Sequence, residues 1–209
     1  MAALGAWTVA TAGATGPYRS APPGGVGATV ASTTVPLAHG LVAGRVTAIG
    51  DSVMIDYAPD LQRALPTVQV EATVGEQWDA GLAEVEALRA EGALGAQVIV
   101  GLGTNGPVTM AQFDQMRAAL TGVTRVVFVT VHVDQPWQGE VDGVLAAGVR
   151  SMPGARLANW YALSAAHAGW FYADGTHLPI GGTGAQALAA LVVRALHAPP
   201  GAAPHTQGR

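Results

Sequence analysis

The sequence contains no cysteine, which excludes disulfide scaffolds and thiolate metal sites. It contains no lysine either; its ten cations are all arginines, scattered without a basic run. With a net charge of -4 it lacks the electrostatic footprint of a nucleic-acid surface, and no nucleic-acid partner is expected. Charged residues make up only 11% of the chain, although alanine and glycine carry much of its 50% hydrophobic content. No stretch of 18 continuous apolar residues occurs, so no segment reads as a bilayer-spanning helix. The opening "MAALGAWTVATAGA" is mildly apolar but has no basic n-region of a secretion signal. It reads as an unstructured N-terminus, with the remnant of a membrane segment from a longer protein as the alternative. No two histidines have metal-ligand spacing, so no metal site is expected.

What is present suits one domain with a full core in 209 residues. Residues 1–44 hold a single charged residue, Arg19, among Gly, Pro, Ala, Thr and Val, and read as a flexible N-terminal linker or tether. The stretch from Ala198, "APPGAAPHTQGR", reads as a disordered tail over 198–209. Between them, over 45–197, strand and helix patterns alternate. Apolar runs predict strands at 45–49, 67–73, 97–102, 125–133 and 155–159. Helical patterns fall at about 53–64, 79–92, 109–121, 138–149 and 183–196. Thr109 with Gln112, and Thr183 with Gln186, have the spacing of capping boxes. Leu188, Leu191, Val192 and Ala195 form an apolar stripe on the last helix. Five strands alternating with helices predict an α/β fold, a flavodoxin-like three-layer α/β/α sandwich on a five-stranded parallel sheet.

In such sheets chemistry sits after the carboxyl ends of the strands. Ser52, in "AIGDSVM", follows the first strand at the mouth of a helix. There the helix dipole and free N–H groups favour negative charge, which suits a nucleophile whose attack on an ester creates an oxyanion. Taken alone, Ser52 reads first as a helix N-cap, a common place for serine. Gly50 is expected because a side chain would crowd the turn, and Asp51 because its hydrogen bonds tie that turn.

A serine nucleophile needs a base. Among six histidines, His39 and His205 lie in the presumed flexible ends, and His197 closes the last helix. His132, at a strand end, and His167, in a polar stretch, are open candidates to touch a site. His177 differs, because Asp174 stands three residues before it in "DGTHL" and can hold the imidazole tautomer. The same pair also fits a turn acid beside a surface histidine. Asn105, in "GLGTNG", offers a side-chain N–H that would complete an oxyanion hole with the backbone N–H groups of Ser52 and Gly75. "GLGTNG" also matches the dinucleotide fingerprint G-x-G-x-x-G. Its helix starts only after the motif, however, and Arg125, Val126 and Val127 occupy the place of the ribose-binding acid. G-x-S-x-G, the elbow of the usual α/β-hydrolases, is absent.

Taken together, Ser52 in "GDSV", Gly75 in "TVGEQ", Asn105 in "GTNG" and His177 in "DGTHL" resemble the four blocks of the SGNH (GDSL-like) hydrolase superfamily. Over about 45–196, "AIGDSVM", "VGLGTNG", "VHVDQPWQGEVDGVL" and "NWYALSAAHAGWFYADGTHLPIGGTGAQALAALV" are similar to the extracytoplasmic domain of bacterial acyltransferase-3 proteins, peptidoglycan O-acetyltransferases among them. There are departures: Glu76 follows Gly75 where Gly-Arg-Gln is frequent, Asp142 stands where Asn is usual, and Pro179 follows "HL".

The resemblance implies a serine acyltransferase or esterase with a Ser52–His177–Asp174 triad and no cofactor. It implies an oxyanion hole from Ser52, Gly75 and Asn105. Trp78, Trp137, Trp170 and Tyr172 are candidates to line a sugar or acyl site, with core packing as the competing reading for each. The expected partners are an acyl donor and a carbohydrate or small-alcohol acceptor, with a membrane-embedded acyltransferase domain as companion. The expected place is extracytoplasmic, tethered to the membrane or the cell wall. Three functions stay open at this point. They are O-acyl transfer to a surface glycan, a free-standing esterase or acetyl-hydrolase, and a non-catalytic binding module.

Overall fold

The computed structural model describes Tyr18–Arg19, Pro36–Leu37 and residues 41–199. The elements run β1 (Tyr18–Arg19), β2 (Pro36–Leu37), β3 (Leu41–Gly50), α1 (Ser52–Ala64), β4 (Val68–Ala72) and α2 (Trp78–Ala90). They continue with β5 (Leu94–Gly101), α3 (Met110–Ala119), β6 (Arg125–Val129), α4 (Gln138–Ser151), β7 (Ala155–Ala158), α5 (Trp160–Ser164) and α6 (Thr183–His197). Five parallel strands stand in the order β4-β3-β5-β6-β7. The dipeptides β1 and β2 pair antiparallel with β4 and β3.

β3 lies between β4 and β5, so both of its edges and both of its faces are covered. That is why its "VTAIG" end is a continuous buried run. The two faces of the sheet carry separate apolar clusters. On one, α1 contributes Met54, Tyr57, Ala58 and Leu61, and α6 contributes Ala185, Leu188, Ala189, Val192 and Leu196. The i, i+3, i+4, i+7 spacing of both sets puts each on one helix face. On the other, Trp78, Val85 and Leu88 of α2, Phe113 and Met116 of α3, and Val141 and Leu145 of α4 cover Ile49, Val98, Val100 and Phe128. These layers place the carboxyl ends of β3, β4 and β5 side by side.

Several boundaries differ from the sequence pattern. β3 starts at Leu41, inside the stretch read as a tether over 1–44, because Leu41 and Val42 are buried and pair with Leu94 and Gly95. β6 ends at Val129 rather than 133, since β7, its partner, ends at Ala158. Val131 and Val133 stay buried but give their N–H groups to the side chains of Asp142 and Gln138. The capping box at Thr109 forms with Gln112. The one expected at Thr183 does not. Gly182 is the N-cap there, held by its N–H to the Pro179 carbonyl, and Gln186 turns back to the Gly181 carbonyl instead. His39, His205 and most of 198–209 lie outside the described residues.

Candidate active site

Gly50 ends β3 where the chain turns sharply into α1. A Cβ there would lie 2.5 Å from the Met54 Cβ, so the turn admits no side chain. Asp51, fully buried, is the N-cap: its Oδ1 accepts the Val53 N–H at 3.0 Å. Its own N–H donates to the Gly101 carbonyl, tying the turn to β5. Burial pushes the Asp51 carboxyl up to about 6, against hydrogen bonds from Thr104 and Val53 and the nearby His177 charge. Ser52 is therefore the first helical residue, with its Oγ at the positive end of α1.

The loop from Tyr172 to Leu178 brings the other groups. His177 Nε2 lies 2.8 Å from Ser52 Oγ, and His177 Nδ1 lies 2.9 Å from Asp174 Oδ2. Asp174 Oδ1 also accepts the N–H groups of Thr176 and His177, at 2.9 and 3.0 Å. The Thr176 amide is the main cause that holds the Asp174 carboxyl below its ordinary range, so it stays ionised at neutral pH. The hydrogen-bonded pair is open to solvent, with the His177 side chain 38% and the Asp174 side chain 51% exposed.

Thr73 to Glu76 form a tight turn closed by the Glu76 N–H on the Thr73 carbonyl, with Gly75 at φ 76°. The positive φ at the third position is why glycine stands there. Asn105, beyond β5, reaches this turn: its Nδ2 donates to the Glu76 carbonyl at 3.2 Å, and Gln77 Nε2 donates to the Asn105 carbonyl at 2.8 Å. The two loops are thereby cross-tied. The motif "GLGTNG" is not at a helix start, since α3 is capped by Thr109.

The aromatic candidates separate. Trp78 packs in the core: it is 4% exposed, stacks on Phe113 and Phe128, and donates its indole N–H to the Gln112 carbonyl. Trp137, half-buried at the start of α4, packs on the same cluster. Trp170 is stacked with both His167 and Trp160. Tyr172 is 55% exposed and sits in the His177 loop, its N–H bonded to the His177 carbonyl.

His132 pairs elsewhere, with Nδ1 2.6 Å from the buried Ser164 Oγ. Burial lowers the His132 pKa. His167 stacks on Trp170, and His197 closes α6. One residue the motifs did not reveal is Asp56, whose Oδ2 accepts the Leu178 N–H at 2.9 Å.

Asp142, which stands in the place of a usual Asn, accepts the Val131 N–H through Oδ1 at 2.9 Å. Burial pushes its carboxyl up from 3.8 to about 6. A carboxyl raised in the fold destabilises it progressively as pH rises between those values, because the unfolded chain ionises first. Asn keeps the acceptor and removes the charge. Asp142→Asn should therefore raise Tm at pH 7.5 by roughly 2–4 °C, taking about 1 kcal/mol for a half-exposed group. The gain should shrink toward pH 4; thermal melts showing the same difference at both pH values would exclude this account.

No protein-family model matches the chain. Peptidoglycan O-acetyltransferase OatA of Listeria monocytogenes is 31% identical over 153 residues, which are 73% of this chain and 24% of that protein. The chain thus spans about a quarter of the length of the curated relatives it matches. Among solved structures, the C-terminal catalytic domain of Streptococcus pneumoniae peptidoglycan O-acetyltransferase A, carrying a methylsulfonyl adduct, aligns with a TM-score of 0.67. Identity is 22%, over 74% of this chain and 93% of that one. A GDSL-like lipase from Bacteroides thetaiotaomicron aligns with a TM-score of 0.53 at 16% identity, over 73% of this chain and 87% of that one.

Proposed function

Because the chain has the SGNH (GDSL-like) hydrolase fold and its homologues are O-acetyltransferases, we propose that it transfers an O-acyl group, acetyl, to peptidoglycan through a serine acyl-enzyme. The observation that carries this reading is the continuous hydrogen-bonded line from Ser52 Oγ through His177 to Asp174, at the positive end of α1. Ser52 Oγ attacks the acyl carbon of the donor while its proton passes to His177 Nε2. Asp174 holds Nδ1–H and stabilises the imidazolium. The oxyanion is met by the backbone N–H groups of Ser52 and Gly75 and by Asn105 Nδ2. As the tetrahedral intermediate collapses, the bond to the donor's leaving oxygen breaks and that oxygen takes the proton from His177. In the second half a glycan hydroxyl gives its proton to His177, attacks the acyl carbon, and releases Ser52 Oγ, which is reprotonated. These steps are carried by side chains and backbone amides of this chain.

The same reading puts the domain outside the cytoplasm, near a membrane-embedded acyltransferase domain that supplies the acyl group. Among the described residues no helix is long and apolar enough to cross a membrane. Tyr172, exposed beside His177, is the best placed of the aromatic candidates to meet a sugar ring.

A second reading, an esterase or acetyl-hydrolase, is favoured by the solvent exposure of His177 and Asp174, which leaves water free to resolve the acyl-enzyme. The two part on whether an acceptor is held in line, since an aligned hydroxyl can reach an effective molarity of about 10⁵ M or more. Incubation with an activated acetyl ester and glycan oligomers, followed by mass analysis, is expected to give acetylated glycan that disappears in Ser52→Ala. Acetate alone, at a rate independent of the glycan, would establish hydrolysis instead.

A further inference from the structure

We propose that Asp56 is a positioning residue for this reaction: by accepting the Leu178 N–H it holds the backbone beside His177 against the helix that carries Ser52. The inference rests on the reading of Ser52 and His177 as nucleophile and base. The loop presents three successive amides, those of Thr176, His177 and Leu178. The first two go to Asp174 Oδ1, at 2.9 and 3.0 Å. Asp174 belongs to the same loop, so these bonds shape the loop without fixing it to the body of the domain. The third amide goes to Asp56 Oδ2 at 2.9 Å, across 122 residues of chain.

Asp56 stands one helical turn after Ser52 on α1, and positions i and i+4 share a helix face. One rigid helix therefore grips the loop at two points: Ser52 Oγ meets the imidazole, and Asp56 meets the next amide. The Leu178 side chain, fully buried in the α1/α6 cluster, sets the depth of the loop. The carboxylate sets the rotation of the backbone about that anchor, and with it the aim of the imidazole. The groups that face Asp56 electrostatically are His177 and Asp174. Burial raises its carboxyl, the Leu178 amide and His177 oppose that, and Asp174 adds to it. The Asp56 charge favours the imidazolium that forms when Ser52 gives up its proton.

The test uses the whole chain and an activated acetyl ester, with kcat and KM measured from pH 5 to 9 for wild type, Asp56→Ala, Asp56→Asn and Ser52→Ala, and Tm as a folding control. Asp56→Ala is expected to lower kcat about 10- to 100-fold with KM little changed, the cost of misaligned groups. Asp56→Asn keeps an acceptor oxygen for Leu178 but not the charge. It should retain most of kcat at pH 8 while the acid limb of its profile moves to lower pH. If Ser52→Ala is inactive but both Asp56 variants keep wild-type kcat and acid limb, the positioning role is overturned and the nucleophile stands. If both variants lose activity only in step with a fall in Tm, and the acid limb is unmoved, the role is structural and the proposal fails. Turnover in Ser52→Ala would instead overturn the reading beneath it.

Discussion

Replacing Ser52 with alanine is expected to cut ester turnover by roughly 10⁴–10⁶-fold, and His177→Ala by a similar factor. The double variant should be no worse than either single one, because the two side chains act as one device across a 2.8 Å contact. Asp174→Asn should also be severe, for a reason visible in the loop. Asp174 uses Oδ1 for two backbone N–H groups and Oδ2 for the imidazole. An Asn must turn its single oxygen to one side or the other. With the oxygen on the backbone, its NH₂ faces Nδ1 and forces the wrong tautomer; with the oxygen on the ring, two amides lose their acceptor. Steady-state kinetics on an activated ester checks all three. Near-wild-type turnover in Ser52→Ala would refute the nucleophile.

Asn105→Ala is expected to lower kcat by about 10²–10³ with KM little changed, the usual cost of one oxyanion donor. The Asn105 amide has two N–H groups, and one donates to the Glu76 carbonyl. That bond fixes the side-chain plane and, on the proposed role, leaves the second N–H for charge that develops on the substrate. Asn105→Asp, the same shape without donors, should be at least as damaging. A rise in KM alone would make Asn105 a ground-state binding residue instead.

The buried strands were legible in the sequence because β3 and β5 are continuous apolar runs, and the chemistry-bearing loops because they follow those runs. β6 was overextended because Val131 and Val133 are as apolar as strand residues; their burial comes from a loop fastened by Asp142 and Gln138. α5, five residues long, is too short to show a period. Trp78 directly follows the site block "TVGEQ", and sequence alone does not say that its ring turns inward onto Phe113 and Phe128. The missing capping box at Thr183 reflects the Pro179–Gly182 turn, which starts the helix one residue earlier than the side-chain pattern implies. Asp56 left no trace, because its partner is a backbone amide and amides carry no motif. The Ser52–His177–Asp174 contact was anticipated because each member stands in a short block with a chemical meaning.

Ser52 lies at the first turn after β3, and its imidazole partner comes 125 residues later, just before the last helix. On the proposed roles, a chain emerging N-terminus first carries its nucleophile long before any base exists to activate it. The growing polypeptide is chemically silent until almost the whole domain has been synthesised and α6 can close on α1. A chain cut short anywhere before residue 177 stays silent as well, so neither nascent nor broken copies would spend activated acyl donor.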